Sequence, residues 1–181
     1  MTTLDRLARE VGASGRTLRR AAARGLVKST RPTPRRIEVT PGELRYVRRH
    51  WPLLEELVAA LRTEPSVRLA VLFGSFARGE SHAGSDLDLL VRIERKHDLA
   101  LARLALRLSD RIGRRVQLVS LEDGQKSSLL LADVLRDGRV VIDRDGDWSR
   151  LRRRESAITR DARRRSDELE HAAWATLESL P

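Results

Sequence analysis

Cysteine does not occur anywhere in the 181 residues, so neither a disulfide framework nor a cysteine-ligated zinc site is available, and nothing in the composition argues for export. Aromatic residues make up only 3%, which leaves Leu, Val, Ile and Ala to build the core. Lysine is confined to Lys28, Lys96 and Lys126, so the positive charge rests almost wholly on arginine. No apolar run approaches ~18 residues, which excludes a membrane-spanning helix, and the first residues read as a charged amphipathic helix rather than a signal peptide. The expected location is therefore the cytoplasm. The four histidines, His50, His82, His97 and His171, are scattered and form no ligand pair at helical spacing.

What the chain does have is concentrated at 74–91, GSFARGESHAGSDLDLLV. The preceding apolar run at 67–73 reads as a buried strand that stops at Gly74-Ser75, with Phe76-Ala77-Arg78 able to open a helix. Backbone N–H groups at such a turn are free to bind phosphate oxygens, and the Ser75 hydroxyl adds a donor. Past a polar loop containing Gly79, His82 and Gly84, a second strand starts at Ser85. Side chains alternate along a strand, so Asp86 and Asp88 project to one side while Leu87 and Leu89 enter the core. Two adjacent carboxylates repel, and a hard divalent ion, itself liganded by substrate phosphates, is the natural companion. His82 reads as an exposed loop residue, with contact to nucleotide as the functional alternative.

The order G-S, then R-G, then S-D-L-D-L resembles the signature of the DNA polymerase beta-like nucleotidyltransferase superfamily in its minimal form. The likeness spans 65–147, with 112–119 similar to that family's next core strand and 129–142 to its closing helix and strand. It implies a small mixed β-sheet with covering helices, a nucleoside triphosphate as ligand or substrate, and Mg2+ as cofactor. By residue, it implies phosphate and nucleotide contacts from Gly74, Ser75, Arg78 and Ser85, and metal binding by Asp86 and Asp88. The family's third carboxylate, by register with Val116 and Leu118, is replaced here by Gln117. An amide has no charge to share with a metal and no useful basicity, so general-base assistance worth ~10²- to 10⁴-fold would be absent. Glu122 or Asp123 could stand in if the following loop folds back; the simpler reading of "SLEDG" is an exposed turn with a helix cap.

The N-terminal segment carries a different message. Leu4, Leu7 and Ala8 share one helical stripe, 11–13 form a tight turn, and Ser14 caps a second helix, 15–24, that ends at Gly25. A short helix, a glycine-bearing turn and a basic second helix form the helix-turn-helix pattern. The following strands, with a Pro32 to Pro34 turn, can make a two-stranded wing, and "TLRRAAARGLV" before an arginine-rich hairpin is similar to the winged helix-turn-helix of the MerR type. Arg16, Thr17, Arg19, Arg20 and Arg24 on the helix, with Arg31, Arg35 and Arg36 on the wing, are the expected DNA contacts. Charge supports this: residues 1–62 carry 14 basic and 6 acidic side chains, the remainder 22 and 20. The excess that gives the chain its net +10 sits on the first segment, the electrostatic footprint of a nucleic-acid partner.

The expected fold class is α+β: a winged helix-turn-helix at 1–40, a connecting helix at 41–64 interrupted at Trp51-Pro52, the nucleotidyltransferase unit at 65–147, and a C-terminal helix at 148–181. A helix over 97–112, with Leu101, Leu104, Leu106 and Leu108, should cover the sheet. The terminal helix shows an apolar stripe through Trp148, Leu151, Ile158, Ala162, Leu169, Ala173 and Leu177. Its arginines, 152–154 and 163–165, read as a solvated face, with a DNA or acidic-partner surface as the alternative. A homodimer would suit the reading of two half-sites, and the terminal helix offers a surface for it.

Two readings of different class stand. In one, the chain transfers a nucleotidyl group to a macromolecular acceptor; family resemblance implies a toxin-like protein partner, with DNA binding serving autoregulation. In the other, it is a transcriptional regulator whose second unit binds nucleotide or a partner without catalysis, because of Gln117. An antibiotic-modifying enzyme fits less well, since little chain remains after 147 for a small-molecule acceptor domain.

Overall fold

The structure, a computed structural model, describes residues 2–33, 36–82, 84–94 and 98–178. Arg35, Lys96 and His97 lie outside the described residues.

The chain opens with β1 (Thr2–Thr3), α1 (Leu4–Glu10) and α2 (Gly15–Arg24). Ser14 caps α2 by accepting from Thr17 N at 3.0 Å, and Gly25 ends it in the left-handed region at φ 93°. A hairpin follows, β2 (Thr30–Thr33) and β3 (Arg36–Val39). Thr2 and Thr3 do not begin the first helix as their sequence suggested; they pair with Val39 and Glu38, making a sheet of order β1-β3-β2.

Helix α3 (Pro41–Arg62) starts at Thr40, whose Oγ1 accepts from Glu43 N, and runs 22 residues without the expected interruption. Pro52 and Arg48 both lie on the exposed side, so the carbonyl that proline leaves without a donor is on the solvated side and the helix continues. The opposite side buries Leu44, Val47, Trp51, Leu54, Leu57 and Leu61. These share one core with Leu7, Leu18 and Leu26 before them and Leu72, Leu89 and Val91 after them, so α3 is a common wall.

The second sheet contains β4 (Val67–Phe73), β5 (Leu87–Ile93), β6 (Val116–Ser120) and β7 (Arg139–Asp143), in the order β6-β5-β4-β7. Only the β5–β6 pairing is parallel. Between these strands lie α4 (Gly74–Arg78), α5 (Asp98–Ile112), α6 (Leu121–Gly124) and α7 (Ser128–Asp137). One sheet face, through Ala70, Leu72, Leu87 and Leu89, packs on α3 and α5. The other, through Leu69, Val71, Leu90 and Val140, packs on the helices after β6. On α5, Leu104 and Leu108 are buried but Leu106 faces solvent, because positions four apart share a helix face and 106 falls between them.

The C-terminal helix is divided. α8 (Asp147–Arg153) ends at Arg154, whose N–H turns back to Leu151 O, and α9 (Glu155–Glu178) begins again. Of the expected apolar stripe, Leu151, Ile158 and Ala162 are buried, Leu151 and Ile158 in one cluster with Leu131, Val134 and Leu135 of α7, whereas Leu169 is exposed, as is Trp174.

The N-terminal unit also touches the sheet directly. Val140 N on the edge strand β7 donates to the carbonyl of Gly25 at 3.3 Å.

Candidate active site

Strand alternation puts Asp86, Asp88 and Gln117 on the same sheet face as Leu90 and Val119, at the end where β4 stops. Asp88 is opposite Phe73 in the antiparallel β4–β5 ladder and opposite Gln117 in the parallel β5–β6 ladder. Gly74, the next residue after Phe73, has φ 73°, and a Cβ there would collide with the Asp88 carboxylate. Glycine is required twice over, for the backbone conformation and for the close approach. Phe73 caps α4 with extended backbone and no side-chain hydrogen bond. The sequence-expected turn and carboxylate pair thus meet at one point.

Burial first, and the neighbouring Asp86 second, push the Asp88 carboxyl above its ordinary value. Asp86 is approached by Arg115, whose Nε lies 3.8 Å from Oδ2 and whose side chain is largely exposed. The pair is short of positive charge. A divalent ion held by two carboxylates and completed by phosphate oxygens and water fits that deficit. Among the described residues no group of three or more His, Cys, Asp or Glu side chains could hold a metal by itself.

Gln117 takes the register position expected for it, and its Nε2 donates to Asp86 Oδ2. The amide therefore acts as a donor that fixes Asp86. Glu122 and Asp123 do not replace it. They follow Ser120, three ladder positions further along β6 and so about 10 Å away. Asp123 there accepts from Ser120 Oγ at 2.5 Å and from Lys126 at 2.6 Å.

Two other residues expected to contact nucleotide also have partners within the chain. Ser85 Oγ accepts from His82 N at 2.9 Å, and Ser85 N donates to His82 O at 3.1 Å, so Ser85 closes the loop leading to Asp86. His82 is exposed, with Nδ1 accepting from Gly84 N. Arg78 sits at the far end of α4, about 6 Å along the axis from Gly74, and pairs with Glu80 at 2.7 Å. Ser75 is half-buried in the first turn beside Gly74.

Behind α4 lies an arrangement with little sequence signal. Arg139 of β7 and Glu43 of α3 form a buried bidentate pair, with Nη1–Oε1 at 2.5 Å and Nη2–Oε2 at 2.8 Å. Arg139 Nε donates to Ala77 O on α4 at 2.8 Å, its Nη1 to Leu26 O, and its guanidinium lies 3.4 Å from the Tyr46 ring centroid. Glu43 Oε1 also accepts from Lys28 N. The sequence offered only an arginine at the head of the apolar run Val140-Val141-Ile142.

On the N-terminal unit, Arg16, Arg19, Arg20 and Arg31 are exposed and Thr17 is half-buried, its Oγ1 2.8 Å from Ser14 Oγ. Arg19 pairs with Asp5 at 2.6 Å. Arg24, three residues after the buried Ala21, is turned toward α3, and its Nε is buried, so it does not join the exposed cations. Arg36 opens β3.

Residues 55–147 match the polymerase beta nucleotidyltransferase family. The chain belongs to this family. No curated protein matches it. Among solved structures, a chain from the crystal structure of a toxin-antitoxin with AMP-PNP is 22% identical, with a TM-score of 0.56 over 67% of this chain and 98% of that one. A chain from the toxin-antitoxin MntA-HepT is 19% identical, with a TM-score of 0.53 over 68% of this chain and 98% of that one. A chain from the complex of tri-AMPylated Shewanella oneidensis HEPN toxin with MNT antitoxin is also 19% identical, at TM-score 0.53 over 69% and 98%. At these identities the likeness establishes a shared nucleotidyltransferase fold. The MerR-type resemblance of the N-terminal segment receives no support from the comparisons. No described helix is long and apolar enough to cross a membrane.

Proposed function

We propose that the chain transfers a nucleotidyl group from a nucleoside triphosphate to a hydroxyl on a macromolecular acceptor. The observation that carries this is the meeting of Asp86, Asp88 and Gly74 at one sheet end in a polymerase beta-type chain. Gly74 and Ser75 receive phosphate oxygens, and Asp86 and Asp88 hold magnesium. The ion, when bound, neutralises phosphate charge during displacement. The chain's own contribution is placement: the Gln117 amide orients Asp86, and the Gly74 turn brings phosphate against Asp88. With no carboxylate at 117, turnover is slow.

The acceptor in this reading is a toxin-type protein, supported by the resemblance to chains of toxin–antitoxin structures. The exposed Arg16, Arg20 and Arg31 bind DNA phosphates, which suits a cytoplasmic protein that regulates its own operon. The second reading, nucleotide binding without catalysis, is favoured by one observation, the donation from Gln117 to Asp86 where a general base would act.

Incubation with alpha-labelled nucleoside triphosphates, magnesium and cell extract decides between them, using wild-type and Gln117→Asp protein. Label on an acceptor with wild type establishes the transferase. Label with Gln117→Asp alone, or none with nucleotide still bound, establishes the regulator.

A further inference from the structure

A cleft of about 770 Å³ opens between Lys28, the outer side of α3 and the C-terminal end of α4. Its walls carry Lys28, Arg45, Arg49 and Arg78. The acids on the same walls are already matched: Glu43 by Arg139 and Asp137 by Arg136 at 3.0 Å. Lys28, Arg45 and Arg49 make no ion pair with any described residue. Burial, then the neighbouring Arg139, lowers the Lys28 pKa, while Asp137 and Glu43 act in the opposite sense.

Two residues that line the cleft, Tyr46 and His50, each carry a buried polar atom without a partner. Tyr46 Oη and His50 Nε2 are one helical turn apart on α3, in residues only 7% exposed, and neither has a hydrogen-bond partner. Leaving a buried polar group unsatisfied is costly, and a ligand that reaches it removes the cost. Burial, with Arg49, Arg139 and Arg114 nearby, holds the His50 imidazole below its ordinary pKa, so it meets a ligand as a neutral group.

We propose that this cleft binds a phosphorylated small molecule of nucleotide size, at a second site separate from Gly74 and Asp86–Asp88. The volume is within the range of small-ligand pockets, and three cations without a direct ion pair, Lys28, Arg45 and Arg49, converging on one cleft favour a ligand with more than one negative charge. Lys28, Arg45, Tyr46, Arg49 and His50 precede residue 55, whereas Arg78 and Arg139 lie within the family match, so the cleft is shared between the matched part of the chain and the part before it. A ligand there touches Arg78 at one end of α4 while the phosphate turn occupies the other, which links its occupancy to the transfer site. That link, and only that link, rests on the proposed transferase reading.

Calorimetric titration of the full chain tests this, using ATP, AMP and pyrophosphate with magnesium or with a chelator. The expected result is one metal-dependent and one metal-independent class of ATP binding. Arg45→Ala with Arg49→Ala, both exposed, should weaken the metal-independent class about ten-fold or more and leave the melting temperature unchanged. Asp86→Asn with Asp88→Asn should remove only the metal-dependent class, and if it does not, the transferase reading fails while the second site stands. Competition by pyrophosphate assigns the cleft to phosphate alone; competition by AMP without pyrophosphate assigns the nucleoside a part. Absence of metal-independent binding, binding insensitive to the arginine pair, or displacement by duplex DNA with no nucleotide binding overturns the proposal.

Discussion

Glu43 and Arg139, 96 residues apart, neutralise each other inside the protein through two parallel hydrogen bonds, and the remaining donors of Arg139 hold carbonyls of the N-terminal unit and of α4. Such a pair is costly to bury and more costly to break. Glu43→Ala should therefore destabilise the protein by ~3–5 kcal/mol, because it strands a buried guanidinium. Replacing both residues together with apolar side chains should cost much less. Urea denaturation of the single and double variants measures the difference, and equal losses would contradict the account.

Gly74→Ala should damage both stability and chemistry. A non-glycine residue in the left-handed region costs ~1–3 kcal/mol, and the added Cβ overlaps the Asp88 carboxylate. The check is a melting curve alongside metal-dependent nucleotide binding; retention of full affinity would mean that Asp88 does not need its present position.

Asp88→Asn should abolish metal-dependent binding while raising the melting temperature of the metal-free protein. The sign follows from the raised pKa. The native state keeps the Asp88 proton to a higher pH than the unfolded chain does, so this group's contribution is full below the ordinary value of 3.8 and is lost as pH rises through the folded value. At neutral pH the carboxylate opposes folding. Scanning calorimetry in a chelator at pH 7.5 and pH 4 should find the stabilisation at the higher pH and little at the lower.

His50 gives the opposite slope. Its folded pKa is lowered, chiefly by burial and then by Arg49, Arg139 and Arg114, so the unfolded chain takes up a proton that the native state excludes. Its contribution is full above the ordinary value of 6.5 and declines as pH falls from there toward the folded value. Stability should fall in that window in wild type and less in His50→Gln; parallel curves would rule the group out.

Exchanging Arg16 and Arg20 for alanine should weaken DNA binding and flatten its salt dependence, since removing one phosphate-binding cation reduces the slope by about one. Nucleotide binding should be untouched. Filter binding across a salt series, with a nucleotide titration beside it, separates the two.

The site was legible wherever the determining interactions are local. Period-two alternation carried Asp86 and Asp88 to one face, the Gly74-Ser75 turn ended β4, and parallel register put Gln117 level with Asp88. Ser14 and Gly25 likewise bounded α2 where their chemistry indicated. What could not be read depended on distant partners. Arg139 looked like a strand residue until Glu43, an apparent helix-start acid, turned to meet it. Pro52 looked like a break because its sequence does not reveal which side of α3 is solvated. The contacts of Arg78 with Glu80 and of Ser85 with His82, two and three residues away, also carried no sequence signal.

The hydrogen bond from Val140 to Gly25 occupies part of a sheet edge. β7 ends its sheet, and an uncovered outer strand offers free N–H and C=O groups to any other extended segment. Here the end of α2 lies over that strand, so the segment with the basic surface also acts as a guard rail against strand-to-strand polymerisation. Trimming the chain to its family-matched part would expose that rail's footprint, and the shortened protein would be expected to aggregate through β7 rather than behave as a smaller enzyme.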